Sequence, residues 1–329
     1  MLSLRRGTVT GISEEHDGLL RLEVDGEPTI AYPRLTGPVE IGDEVIVNVQ
    51  ARALELGSGG FDILYANLTR GLGADAEEGA HVMTLPYTPV QSAARHVEEE
   101  GQPLEALDGM PVVCCSLHSQ VAPVRAGMRG VQRVAYVQLG GGALPVSLSD
   151  TVRTLKKARL LDVAVAASPC TDGDVQAVTP ASALAWCAAQ GYDVAICSIG
   201  PGIVGTGSLF GHGGLAAAVA ANTAAALGGR PILAVRMSEA DRRDRHLGVS
   251  HHVRAILRLF LGEVTIAWPH GLDAPDWLEP RQEVDVEGWH EECSRLPMSH
   301  MGRRIEDDPC FFMGAFAAGE VARDMLAAG

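Results

Sequence analysis

The sequence predicts an α/β protein: a Rossmann-like, doubly wound, mostly parallel sheet preceded by a small N-terminal β-barrel-like module. Three observations predict it. From Met110 onward apolar runs alternate with segments of helix length; residues 1 to about 68 hold short strands with no helix between them; and polar or glycine-rich residues collect just after the apolar runs.

The first segment reads as RRGTVTGI, LLRLEVDG, PTIAYPRL, DEVIVNVQ and GGFDILYANL, with Asp25-Gly26 as a hairpin turn and Gly42-Asp43 as a second break. Residues 69–109 read as a connector, more polar, with a helix expected from about Val90 to Glu100. Across 110–270 the strands are PVVCCSL, RVAYVQL, DVAVAAS, DVAICSI, PILAVRM and VTIAWP, and the helices lie near 120–129, 149–160, 180–190, 213–228 and 250–261. Continuous apolar strands with helical crossovers mean a parallel sheet covered on both faces. Glycines at Gly191 and Gly228-Gly229 fit left-handed helix stops. Residues 271–329 form an acidic, proline-bearing extension that ends in a helix expected to pack on the α/β domain.

Composition narrows the partners. A formal charge of −15 over 329 residues excludes a general nucleic-acid or anionic-membrane surface, and no stretch approaches the roughly 18 apolar residues of a membrane span. The seven cysteines show no CxxC pair and several sit inside apolar runs, which is the pattern of reduced, buried thiols in a cytoplasmic protein. A homo-oligomer is left open.

In parallel sheets ligands bind outside the carboxyl ends of the strands. There the chain has Ser116 to Gln120, Gly140 to Pro145, Ser168 to Asp174, the stretch GPGIVGTGSLFGHGGL, the segment SEADRRDRHLGVSHH, and Pro269-His270-Gly271. The glycine stretch matches G-x-G-x-x-G as Gly200, Gly202 and Gly205, but no acidic residue follows about 20 positions on, and no lysine completes a phosphate loop. What remains is a site where Gly205, Thr206, Gly207 and Ser208 hold an anion, assisted by Arg236 or Arg245; the rival reading is a tight turn with close helix packing.

Arg236, Asp241, Arg245, His246, Ser250, His251 and His252 form the densest titratable cluster. Ser250 is a good N-cap, so His251 and His252 fall in the first turn of a helix, where the dipole favours neutral imidazole and acid/base work. His118 at another strand end joins them as a catalytic candidate. No HxxxH or HExxH spacing is present, so no metal is assigned; if a divalent metal binds, His118, His246, His251 and His252 are its ligands. A serine nucleophile at Ser116 or Ser119 lacks the G-x-S-x-G elbow, and Cys170, Asp172 and Asp174 fit an ordinary loop equally well. His16, His81, His96, His290 and His300 have little context that lifts them above surface residues.

The segments GDEVIVNVQA with LGSGGFDILYANL, HVMTLPYTPVQ, CSLHSQVAPV, GGALPVSLSD, GPGIVGTGSLFGHGG, RMSEADRRDRHLGVSHH and MGRRIEDDPCFFMGAFAAG together resemble an uncharacterised bacterial family, that of domain of unknown function 3866. This chain carries Leu139-Gly140 where the family pattern has an acidic residue ahead of the GGALP glycines. The resemblance implies no activity. The residues themselves point to a hydrolase or transferase acting on a small anionic, phosphorylated or nucleotide-like metabolite. An NAD(P)-dependent oxidoreductase and a non-catalytic ligand-binding or regulatory protein are the alternatives.

Overall fold

The computed structural model describes residues 2–54, 59–70, 77–101 and 104–328. Parts of the LGSGG segment (55–58) and of the connector (71–76 and 102–103) lie outside the described residues. The chain divides into two compact units, Met1–Arg95 and His96–Gly329. The first thus takes in most of the connector, and the second includes the C-terminal extension.

In the first unit β1 (Leu4–His16), β2 (Leu19–Val24), β3 (Glu27–Ala31), the single turn α1 (Pro33–Thr36), β4 (Glu44–Asn48), α2 (Gln50–Ala53) and β5 (Asp62–Asn67) follow one another. The strands close into a five-stranded barrel in the order β1-β2-β3-β5-β4, with β3 and β5 parallel. Alternate residues Val9, Leu20, Leu22, Val45, Val47 and Leu64 point inward and fill it. Asp25 (φ 52°) and Gly26 (φ 81°) make the expected β2–β3 turn, both in the left-handed region that two-residue hairpins demand. A short hairpin, β6 (Val82–Thr84) and β7 (Ser92–Ala94), ends this unit.

The helix expected over Val90–Glu100 is not formed. Strand β7 takes its first half, and Val97–Glu100 is a 3-10 turn stopped at the left-handed Gly101 (φ 71°). Its carboxylates have long-range partners instead of helical ones. Glu98 accepts from the Val178 amide and Ser182, and Glu100 accepts from the Trp186 indole at 3.0 Å.

The second unit runs β8 (Pro111–Cys115), α3 (Val121–Gly127), β9 (Val134–Leu139), α4 (Asp150–Lys157), β10 (Val163–Ala167), β11 (Val175–Ala177), α5 (Pro180–Ala189), β12 (Val194–Ile199) and α6 (Ala216–Ala226). It continues with β13 (Arg230–Ala234), β14 (Met237–Ser238), β15 (Gly248–Val249), α7 (His251–Leu259), β16 (Thr265–Pro269), β17 (Gln282–Val284), α8 (Trp289–Ser294) and α9 (Pro309–Ala327). Eight strands form one parallel sheet, ordered β11-β10-β9-β12-β8-β13-β16-β17. Successive residues of β8 alternate between two cores: Val113 and Cys115 meet α3 and α9, Val112 and Cys114 meet α5, α6 and α7. Both faces are therefore covered, which is why the strands are apolar throughout. All seven cysteines are free and buried. Among the described residues no helix is long and apolar enough to cross a membrane.

This topology has one consequence for ligands. Strand β8 sends its helix to the α9 face, whereas its neighbours β12 and β13 send theirs to the opposite face. Such a reversal is the position at which open parallel sheets bind ligands.

Helix α9 covers the first face by lying close to α3. A Cβ on Gly319 would collide with the Val124 carbonyl oxygen, and one on Gly127 with that of Phe316. Backbone cannot yield there as a side-chain tip can. We expect Gly319→Ala to cost ~2 kcal/mol net, the steric penalty exceeding the ~1 kcal/mol that alanine otherwise gains in a helix. Gly262→Ala, whose Cβ would meet nothing closer than 3.6 Å, should be near neutral in the same urea titration, and equal stability of the two variants would refute the close-packing account.

Candidate functional site

The loop after β12 folds back on itself. Gly213 N donates to Val204 O at 2.7 Å, Thr206 N to Gly211 O at 2.7 Å and Ser208 N to the Thr206 hydroxyl at 3.2 Å. Those bonds use the Thr206 and Ser208 amides. The amides of Gly205 and Gly207 have no hydrogen-bond partner among the described residues. Gly200 and Gly213 have a different duty, because a Cβ on either would strike the Ala143 or Gly141 carbonyl of the loop after β9. Gly200 and Gly213 are thus required for backbone-on-backbone packing, a Cβ on Gly205 would press on His212 at 2.9 Å, and Gly207 is exposed. The Arg245 guanidinium lies against the exposed tip, within 3.7 Å of where a Gly207 Cβ would stand.

Behind the tip the loop carries His212, whose ring stacks on His252 at 3.6 Å between centroids and 8° between planes. His246, His251 and His252 are gathered there as the spacing predicts, with centroids 4.7–5.0 Å apart. Ser250 caps α7 by accepting from the His252 amide, and its hydroxyl meets His246 Nδ1 at 2.7 Å. Arg236, only 3% exposed, donates to His252 Nδ1 at 2.9 Å. An arginine can only donate, so His252 Nδ1 is the acceptor and the ring proton stands on Nε2.

Asp241 is the hub of the charges. Arg243 clamps it through two nitrogens at 2.9 and 2.7 Å, while Arg303 and Arg236 stand off at 3.6 and 3.8 Å. The Arg243 bond holds the Asp241 carboxyl far below the usual carboxylate range. Burial, reinforced by Arg243, pushes the Arg236 guanidinium down to about 9. Burial first, and the arginines second, lower the histidines: His246 and His300 to about 3, with His251 and His252 also below their usual value. The rings are neutral at pH 7, as a helix-start location predicts. Burial and the arginine field, however, dominate that effect.

His118 stands apart from this group. Its Nδ1–H donates to Ile199 O at 3.2 Å, and its Nε2 meets the Ser149 hydroxyl at 2.7 Å. With both nitrogens engaged it has no lone pair to offer. It braces β8 against the end of β12 and the cap of α4. Burial lowers it to about 4. Ser116 is likewise tied by amide and hydroxyl to Gln120 Oε1, and burial pushes the Cys170 thiol up to about 12. Neither is placed to act as a nucleophile.

Four participants escape sequence reasoning: His212, His300, Arg303 and Asp308. His300 stacks flat on Phe311 at 3.7 Å and meets the Ser119 hydroxyl at 3.0 Å. Asp308, fully buried just before α9, accepts from the Ser238 hydroxyl at 2.6 Å and lies 3.2 Å from Arg303. The signal available was the dense run HMGRRIEDDP, whose charges precede an apolar helix.

A metal fits this group poorly. The ligand atoms of His246, His251 and His252 lie within 4.8 Å of one another. For His252 to ligate through Nε2, however, its proton would have to move to Nδ1, against the donating Arg236. Three arginines around Asp241 further oppose a cation.

These features define an α/β protein with a parallel sheet and a cluster of arginines and histidines after the carboxyl ends of its strands. The chain belongs to the family described as a protein of unknown function (DUF3866), whose model matches residues 28–319. That span contains all seven of the segments quoted above. No curated protein matches the chain.

The buried histidines set a pH dependence. His118 binds a proton near pH 4 when folded but near 6.5 when unfolded, so acid favours the unfolded chain. The histidines should leave stability unchanged between about pH 7 and 8 and lower it from about 6.5 downward, each contributing about 1.4 kcal/mol per pH unit, while above about pH 9 the buried neutral thiols of Cys170 and Cys310 lower it again. In His118→Gln the slope between about pH 6.5 and 5 should be shallower by that amount. Denaturation followed by tryptophan fluorescence reads this, since Trp186, Trp268, Trp277 and Trp289 all lie in the second unit. An unchanged slope counts against a neutral, buried His118.

Proposed function

We propose that the chain is an enzyme, a hydrolase or transferase, acting on a small anionic metabolite that is phosphorylated or nucleotide-like. The anion is held between Arg236, Arg245, the amides of Gly205 and Gly207 and the Nε2–H of His252. Arg236 carries this reading. It is buried at the end of β13, and its nearest carboxylate is 3.8 Å away and already clamped by Arg243. A guanidinium taken out of water and short of counter-charge gains most from a bound anion. The Rossmann-like, doubly wound arrangement supports the same location, because helices leave β8 and β12 toward opposite faces.

His251 is the best-suited acid/base. Its Nε2 has no hydrogen-bond partner among the described residues, its ring is only partly covered, and its lowered pKa keeps it neutral at pH 7. His246 and His252 are held by Ser250 and Arg236 and fix its surroundings. Asp241 keeps Arg243 and Arg236 in register. The oxidoreductase alternative loses support, because the loop from Pro201 to His212 separates Gly200 from the first helical turn where a pyrophosphate would lie.

Thermal-shift titration with inorganic phosphate and a panel of phosphate monoesters tests this. At a ligand concentration of a hundredfold Kd the stabilisation should reach about 2.7 kcal/mol. Arg236→Met should abolish it, and His251→Ala should keep the stabilisation while losing phosphate release or transfer. If no anion stabilises the unsubstituted chain the proposal fails, and stabilisation by NAD(P) alone would favour the oxidoreductase.

A further inference from the structure

We infer that the groove beside His251 receives the rest of the ligand, and that this ligand is a nucleoside monophosphate. The inference rests on the anion site proposed above and adds its substrate class. The groove has a volume of about 730 Å³, within the range of small-molecule sites. It lies between the ends of β13 and β16, the start of α7 and the loop Gly271–Trp277.

Two of its lining residues are shared with the anion site. Arg245 reaches the glycine tip at Gly207, and the His251 ring lies 5.5 Å from that of His212. A molecule whose anionic group sits at Arg245 therefore has its remaining atoms beside His251, in the groove.

The chemistry of the walls selects what those atoms are. Arg254 stacks over Trp277, its guanidinium carbon 4.3 Å from the ring centre, and makes a flat, polarisable wall. Trp268 is fixed by donating its indole N–H to Leu272 O at 2.9 Å, and Met237 and Val249 add apolar surface. A planar ring fits such a wall. Toward solvent stand the carboxylates of Glu239, Asp244 and Asp273, which only accept hydrogen bonds. They match the hydroxyls of a ribose and the amino group of a base. They also repel further negative charge, which excludes a di- or triphosphate chain running along the groove. The one thiol present, Cys310, is pushed up to about 12 by burial and is no nucleophile.

The test is calorimetric titration of the full chain with inorganic phosphate, the four ribonucleoside 5′-monophosphates and their nucleosides. At least one monophosphate should bind ten-fold or more tightly than phosphate. Trp277→Leu and the exposed Arg254→Ala should each remove most of that gain and leave phosphate affinity unchanged, and the second variant guards against misfolding of the first. If every monophosphate binds only as tightly as phosphate, the groove inference is overturned while the anion site stands. If a nucleoside binds as tightly as its monophosphate and phosphate does not bind, the anion site itself is overturned.

Discussion

A buried positive charge that lacks its own counter-ion organises the candidate site. Arg236 ends β13 inside the protein, and nearly every neighbour responds to it. His252 turns its Nδ1 lone pair toward it, His212 stacks on His252, and Asp241 holds three arginines within reach at unequal distances. Neutral imidazoles are the only form of histidine compatible with such a field. A cluster that reads in sequence as acid/base histidines is thus held by its surroundings as a set of rings whose pKa values are lowered by burial and by the arginines.

Much of the architecture was legible because the signals that specify it are local and periodic. The six apolar runs became strands of the sheet, since a strand buried on both faces has no polar alternation to confuse it. Asp25-Gly26 specified its turn by backbone preference alone. The false helix at Val90–Glu100 shows the opposite case. Its acidic residues look solvated in one dimension, yet they fold out to satisfy Val178, Ser182 and Trp186 more than seventy residues away. No local propensity contains that information.

The site divides along the same line. His246, His251 and His252 share one segment and a visible N-cap, so their meeting could be read directly. His300, Arg303 and Asp308 reach the same cluster from the segment that leads into α9, some fifty residues on, and α9 lies close against α3 at Gly127 and Gly319. His118 illustrates the converse. It occupies a strand end, as ligand-binding residues do, but the tertiary structure spends both its nitrogens on bracing the loops. In the glycine stretch Gly200 and Gly213 are required by packing, whereas Gly207 stands exposed at the tip.

The position of Asp308 bears on how the protein is made. The carboxylate that anchors Ser238 and Glu239 beside the arginines immediately precedes α9, whereas Arg236, His246, His251 and His252 are synthesised well before it. Until α9 docks, the face it shares with α3, α4 and α8 is only partly covered, and the arginines lack one of their two carboxylates. A chain cut before Asp308 would therefore hold the segment 236–252 without the carboxylate that ties Ser238 and Glu239 in place.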